Sequence, residues 1–251
     1  MSTKINQIRQ KILPDGIMLS KWLREQGITT SDQSSYLKHK TIERIATGVY
    51  KFPESKPTEY GILSSYQEQT KNEYHIGASS ALEIKGISHY IPIGNPRLFI
   101  FTPLHHRLPK WINSSRKDSD IIELSPNVLG NIGKETINHE KYKLTISSPE
   151  LAIMECLLLS PKFYDLMDTF HLLEMLTNLR SSLVQEILEN CKSIKVKRMF
   201  LYMACKANHQ WYNKLDLSKI NLGSGTRSYA KHGVKDSHFN IVIPRELYQY
   251  E

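Results

Sequence analysis

Eleven side chains between Lys21 and Lys51 have the chemistry to grip phosphates and read the edges of bases. Lys21, Arg24, Lys38, Lys40, Arg44 and Lys51 are cations that can neutralise phosphates and release their counterions. Gln33, Ser34, Ser35 and Tyr36 carry amide and hydroxyl groups suited to base edges, and His39 could touch either partner. A second basic set, Lys192, Lys195, Lys197, Arg198, Arg227 and Lys231, lies toward the other end of the chain. Tyr202, Trp211, Tyr212 and Tyr229 are interleaved with it, a composition that suits single-stranded nucleic acid. Lys192, Lys195, Lys197 and Arg198 fall near the start of an expected helix, where cations oppose the dipole. Helix propensity does not explain them, so an anion-binding or partner surface is the functional reading.

Catalytic chemistry is harder to assemble. His105-His106-Arg107, the loop Gly223-Ser224-Gly225-Thr226-Arg227, and His232 or His238 could be combined into a phosphate-handling site, with glycine amides and an arginine fork. The loop lacks the lysine-serine ending of a nucleotide-binding P-loop, and no paired carboxylates stand at useful spacing. No His, Asp or Glu grouping has metal-ligand spacing. The reading therefore names no catalytic residue, no metal and no cofactor. Cys156, Cys191 and Cys205 are odd in number and set in helical patterns, which suggests reduced core thiols.

The elements that must position the first set are short. Ile5, Ile8 and Ile12 recur at helical spacing over Thr3 to Leu13, and Pro14-Asp15-Gly16 ends the run. Leu19, Trp22 and Leu23 give a second helix, Met18 to Gln26, closed by Gly27. Thr30 or Ser31 can cap a third, Asp32 to His39. Two β-branched and aromatic runs, Thr41 to Ile45 and Val49 to Phe52, flank Ala46-Thr47-Gly48 as a hairpin. Three helices and a hairpin are the layout of a winged helix-turn-helix, with the third helix as reader and the hairpin as wing.

Charge is partitioned along the 251 residues. Residues 1–57 hold 10 basic and 5 acidic residues, residues 58–149 hold 10 and 9, residues 150–190 hold 2 and 7, and residues 191–251 hold 11 and 4, giving the net +8. Two basic ends around an acidic block suggest two phosphate-facing surfaces, or one built from both. No apolar run reaches the roughly 20 residues that span a bilayer. A secretory leader is absent from the expected pattern, so a cytoplasmic protein without membrane contact is expected.

Pro53-Glu54-Ser55-Lys56-Pro57 suits a linker, dividing a 1–57 DNA-binding unit from a 58–251 domain. The overall class is α+β: a winged helix-turn-helix, then a larger mixed α/β domain with a helical bundle. In its 58–149 part, helices are expected at Glu59 to Thr70 and Ala78 to Lys85. Strands are expected at His89 to Ile93, Leu98 to Thr102, Ile121 to Leu124 and Tyr142 to Ile146. Gly94-Asn95-Pro96 and the polar stretch Asn113 to Asp118 separate them. In the 150–251 part, Ser147 and Glu150 have capping-box spacing ahead of a run of helices. The last helix runs from Val196 to Trp211 and precedes a basic tail.

Several segments resemble the AbiEi antitoxins of type IV toxin-antitoxin and phage-abortive-infection systems. They are Ile42 to Tyr50, Ser80 to Tyr90, Leu108-Pro109-Lys110-Trp111, Ser147 to Ala152, Lys195 to Leu201 and Leu215 to Gly225. The match rests on their joint order and spacing across essentially the whole chain. The resemblance implies a transcriptional repressor that binds inverted repeats in its own double-stranded promoter DNA, as a dimer on that DNA. It also implies a C-terminal domain that neutralises a neighbouring nucleotidyltransferase toxin without a stable complex. Members often carry a basic residue before the wing glycine, where this chain has Thr47, which implies a weaker grip at the wing tip. Two alternatives stay open: a stand-alone DNA-binding regulator, or an RNA-binding or toxin-modifying protein acting through the basic C-terminal region.

Overall fold

The structure is a computed structural model that describes residues 4–88, 97–114 and 120–250. Its N-terminal elements are α1 (Lys4–Lys11), β1 (Met18–Leu19), α2 (Ser20–Glu25), α3 (Thr30–Lys38), β2 (Glu43–Ala46) and β3 (Val49–Lys51). The strands form a small antiparallel sheet in the order β1-β3-β2. Ile5, Ile8, Met18, Leu23, Ile28, Ile42, Tyr50 and Phe52 pack as the core of this unit. This is a winged helix-turn-helix. The expected second helix is shorter than its apolar pattern suggested, because Met18 and Leu19 pair with Tyr50 and Val49 instead of joining it. The third helix starts two residues earlier than expected, since Thr29 and not Thr30 or Ser31 is its cap.

The body follows with α4 (Glu59–Thr70), β4 (His75–Ile76), α5 (Ala78–Ile84), β5 (Arg97–Phe101), α6 (Lys110–Ser114), β6 (Asp120–Leu124), β7 (Lys134–His139) and β8 (Tyr142–Ser147). Its five-stranded sheet runs β6-β5-β4-β8-β7. The β5/β6 and β4/β8 pairs are parallel, whereas β4/β5 and β7/β8 are antiparallel. The two-residue β4 is too short to register as a periodic signal, yet it sits at the centre of the sheet. The expected strand at His89 to Ile93 and the Gly94-Asn95-Pro96 turn lie outside the described residues, as does most of the Asn113 to Asp118 stretch.

Helix α7 (Pro149–Leu159) packs on β8, and α8 (Leu166–Glu174), α9 (Ser181–Asn190) and α10 (Ile194–Lys206) pack on α7, all sharing one core with the sheet. Pro149 occupies the first turn of α7, where its missing N–H costs nothing. Ser148 caps that helix by accepting from Leu151 N, so Ser147 is not the cap; its hydroxyl is committed to Glu155. Helix α10 stops at Lys206, short of the expected Trp211, and Trp211 returns to donate its indole N–H to Leu176 O at 2.9 Å. Where a basic tail was expected, β9 (Arg227–Ser228), β10 (Val234–Asp236) and β11 (Ile241–Ile243) form a third sheet in the order β10-β11-β9, followed by α11 (Arg245–Gln249). Cys156 and Cys191 are buried thiols, but Cys205 is exposed, contrary to its core reading. No helix among the described residues is long and apolar enough to cross a membrane.

Candidate nucleic-acid interface

Helix α3, expected to be the reading helix, is built from its cap outward. The Thr29 hydroxyl accepts from Asp32 N at 3.1 Å, while the Asp32 carboxylate accepts from Thr29 N at 2.8 Å and from the Thr29 hydroxyl at 2.7 Å. This reciprocal capping box satisfies two donors at the helix start. The hydrogen bonds from the Thr29 side chain and backbone hold the Asp32 carboxyl below its usual range. Because Thr29 takes the capping role, Thr30 and Ser31 are left exposed at the N-terminal end of α3. Ser31, Ser34, Ser35 and Lys38 then recur at three- and four-residue spacing as one exposed stripe. Ser31 was not among the expected contacts, although it is exposed on the same stripe; the Thr29-x-x-Asp32 spacing was the signal that would have released it from capping.

Gln33 corrects the sequence reading. It is 2 % exposed, and its amide is spent inside the unit: Nε2 donates to Ile28 O at 3.1 Å and Ser20 O at 3.3 Å, and Oε1 accepts from the Ser20 hydroxyl at 2.7 Å. These bonds brace α3 against the start of α2 and the intervening turn, so Gln33 positions the helix and does not face a base edge. Tyr36 is half-buried against the same core. Lys38, His39 and Lys40 are exposed at the C-terminal end of α3, where Lys40 adopts φ 53° to turn the chain toward the wing. Lys21 and Arg24 are exposed on α2, and Arg24 Nη1 reaches the Ser20 hydroxyl at 3.3 Å.

On the wing, Arg44 is exposed opposite Tyr50, next to a bulge between Arg44 and Ala46. The turn needs Gly48, whose φ of 73° suits glycine. Lys51 is the second correction. Its ammonium pairs with Glu43 at 3.0 Å and donates to Ser55 O at 2.9 Å, so its charge is already answered within the protein. The cations left facing solvent are Lys21, Arg24, Lys38, Lys40 and Arg44, beside His39 and the serine stripe.

The C-terminal basic set does not form one surface. Lys197 and Arg198 are each 3 % exposed. Arg198 donates Nε to Leu222 O at 2.8 Å, Nη2 to Gly223 O at 3.0 Å, and Nη1 to Gly225 O at 2.5 Å and Asn240 O at 3.0 Å. Lys197 Nζ donates to Asn221 O at 3.2 Å. Burial lowers the Arg198 pKa, with the Arg227 charge adding to the effect. The glycine loop therefore offers carbonyls to an internal guanidinium, which displaces the reading of it as a phosphate cradle. Lys195 lies over the Tyr229 ring at 4.2 Å. Lys192 and Lys231 are exposed and Arg227 half-buried. Among the aromatics, Tyr202 and Trp211 are core residues. No group of three or more His, Cys, Asp or Glu among the described residues could hold a metal ion.

Fold and surface together define a winged helix-turn-helix protein fused to a larger α+β body. Residues 1–93 match the family described as "Transcriptional regulator, AbiEi antitoxin N-terminal domain", and residues 95–244 match "Transcriptional regulator, AbiEi antitoxin, Type IV TA system". The chain belongs to this AbiEi family of type IV toxin-antitoxin regulators. Among curated proteins, none matches it significantly. Of solved structures, it is similar in fold to the RV2827C protein of Mycobacterium tuberculosis, with TM-score 0.62 and 14 % identity over 95 % of this chain and 89 % of that one.

Proposed function

We propose that this protein is an antitoxin that represses its own operon, using residues 1–57 to bind inverted repeats in double-stranded promoter DNA. The observation that carries the reading is the exposed face of α3, where the serine stripe and Tyr36 lie beside Lys38, His39 and Lys40, with Arg44 on the adjoining wing. A winged helix inserts such a face into the major groove, and the flanking cations of α2 and the wing hold the phosphate backbone. Inverted repeats call for two copies related by a two-fold axis, with half-sites about 10 base pairs or a multiple apart. Footprinting on the upstream DNA tests this: two protected half-sites at that spacing are expected. Protection without symmetry would remove the inverted-repeat reading.

The 58–251 domain neutralises a nucleotidyltransferase toxin encoded beside it, without itself acting as an enzyme and without a stable complex, inside the cytoplasm. Family membership supports this part. Co-expression separates the two roles, since a 58–251 fragment that folds should rescue growth from the toxin while leaving the promoter unrepressed. Rescue that requires residues 1–57 would instead favour a stand-alone regulator acting only on transcription.

A further inference from the structure

Unspent positive charge gathers on the small sheet of β9, β10 and β11. Its register sets two faces. Ile241 and Ile243 are buried, so the row Lys235–Val242–Ser228 between them lies on the solvent side. Lys231 and His232 are exposed between β9 and β10, and His238 is exposed between β10 and β11. An imidazole therefore stands at each end of β10, with Lys235 between them. Lys231 and Lys235 make no hydrogen bond or ion pair with any described residue. Arg227, on the edge strand β9, spends a single N–H, from Nη1 to Thr226 O at 3.4 Å. Within residues 227–243 the one carboxylate is Asp236, which is committed to its turn by accepting from Phe239 N at 2.7 Å.

The charge is not answered from the interior either. Buried cations are as a rule paired with an acid. Lys197 and Arg198 are bonded to carbonyls alone, among them Gly225 O and Asn240 O, which adjoin β9 and β11. Gly225 is flanked by two guanidiniums: Arg198 Nη1 donates to its carbonyl at 2.5 Å, and Arg227 Nη1 lies 3.6 Å from where a Cβ would stand. Like charges placed this close repel, and salt screens a buried charge little. Their field reaches solvent at Arg227, Lys231 and Lys235, where a polyanion offsets the repulsion.

We propose that this face binds single-stranded RNA, with Arg227, Lys231 and Lys235 on the phosphodiester backbone and unpaired bases stacked on the His232 and His238 rings. Cations interleaved with exposed rings are what such strands require. The rings stack in either protonation state. Phe239 orients the His238 ring, at right angles and 4.5 Å between centroids. The stretch from His232 to His238 extends over up to about 20 Å, room for several nucleotides. Ser228, on the row with Lys235, donates its hydroxyl to Ala230 O at 2.7 Å and keeps its lone pairs for a ribose 2′-hydroxyl, the group that separates RNA from DNA. The face uses no residue of α3 or the wing and does not depend on the promoter-binding reading.

The test is fluorescence anisotropy of the full chain with a labelled, unstructured RNA of about 20 nucleotides across a salt series. Arg227→Gln/Lys231→Gln/Lys235→Gln should bind the RNA about tenfold or more weakly, with a log–log salt slope smaller by about 2, and bind promoter DNA like wild type. His232→Ala/His238→Ala should lose about fivefold or more at an unchanged slope. Lys38→Ala/Arg44→Ala should bind the RNA like wild type. Arg227 is half-buried, so if the triple variant does not fold, the exposed pair Lys231→Gln/Lys235→Gln decides. The proposal is overturned by no RNA binding at low salt, by an unchanged slope in the folded lysine variants, or by undiminished binding in the histidine variant. Equal binding of single-stranded DNA of the same sequence, or loss of RNA binding in Lys38→Ala/Arg44→Ala, overturns it as well.

Discussion

Gln33 and Glu150 are polar side chains whose hydrogen bonds all point inward, and each gives a prediction that separates structure from recognition. Gln33→Ala removes bonds to Ser20 and Ile28 inside the helix-turn-helix, so it should destabilise the protein by about 1–3 kcal/mol in urea unfolding. The exposed Ser34→Ala should stay within about 0.5 kcal/mol and change DNA affinity instead. Unchanged stability in Gln33→Ala, with a base-specific loss of binding, would return Gln33 to the role of reader. Burial by itself raises the Glu150 pKa, but Arg180 donates its backbone N–H at 2.9 Å and its Nε and Nη2 at 3.0 Å, holding the carboxyl down to about 2. A carboxyl whose folded pKa is depressed stabilises the protein above its unfolded value, and that stability is lost as pH falls from about 5 toward 2. Arg180→Ala should flatten this acid limb and cost about 1–3 kcal/mol at pH 7, water reaching the pair because the arginine side chain is 57 % exposed. An unaltered difference between urea midpoints at pH 7 and pH 3 would contradict it. The inward roles of Gln33, Lys197 and Arg198 were illegible in the sequence, because a polar residue reads as surface until its partners, up to 42 positions away for Arg198, are folded around it.

At the scale of elements, legibility followed local chemistry. The three N-terminal helices and the wing could be read because turn residues punctuate them and apolar positions recur at helical spacing. Strand β1 was hidden because its two residues continue the apolar run of α2. Strand β7 was hidden because Lys134–His139 is a polar edge strand whose pairing with β8 supplies the order that its composition does not. The sheet of residues 227–243 is made of pieces of two and three residues, below any periodic signal. The capping box of α3 is the element-level device that fixes the start of the helix proposed to face DNA. Thr29→Ala should therefore cost about 1 kcal/mol and weaken DNA binding by fraying the first turn. Helix content and affinity both unchanged would show that the turn is held by packing alone.

Across the whole molecule, the winged helix is fastened to the body and not merely tethered by residues 53–58. Strand β1 is an edge, and Gln69 of α4 completes it in place of a neighbouring strand: its Oε1 accepts from Leu19 N at 2.8 Å and its Nε2 donates to Ile17 O at 2.7 Å. Asp15 accepts from Thr58 and Tyr142 and pairs with Lys141 at 3.1 Å. Ile17 and Val49 of the N-terminal unit also belong to the large core. Gln69→Ala should therefore speed hydrogen exchange at Leu19 and lower stability by about 1–3 kcal/mol, while leaving the α3 face intact. Unchanged exchange would mean that core packing alone holds the two units together. The proline-flanked segment was legible as a connection; the docking that makes it short and ordered depends on Asp15, Gln69 and Tyr142, which are too far apart in sequence to reveal it.

The proposed contact of α3 and the wing with promoter DNA runs through Lys38 and Arg44. Its most direct test is the affinity of the purified full chain for its own upstream DNA across a salt series, beside a Lys38→Ala/Arg44→Ala variant. Specific binding that weakens steeply with salt is expected, with the log–log slope smaller by about 2 in the double variant. Absence of specific binding at low salt, or an identical slope in a folded double variant, would contradict the account.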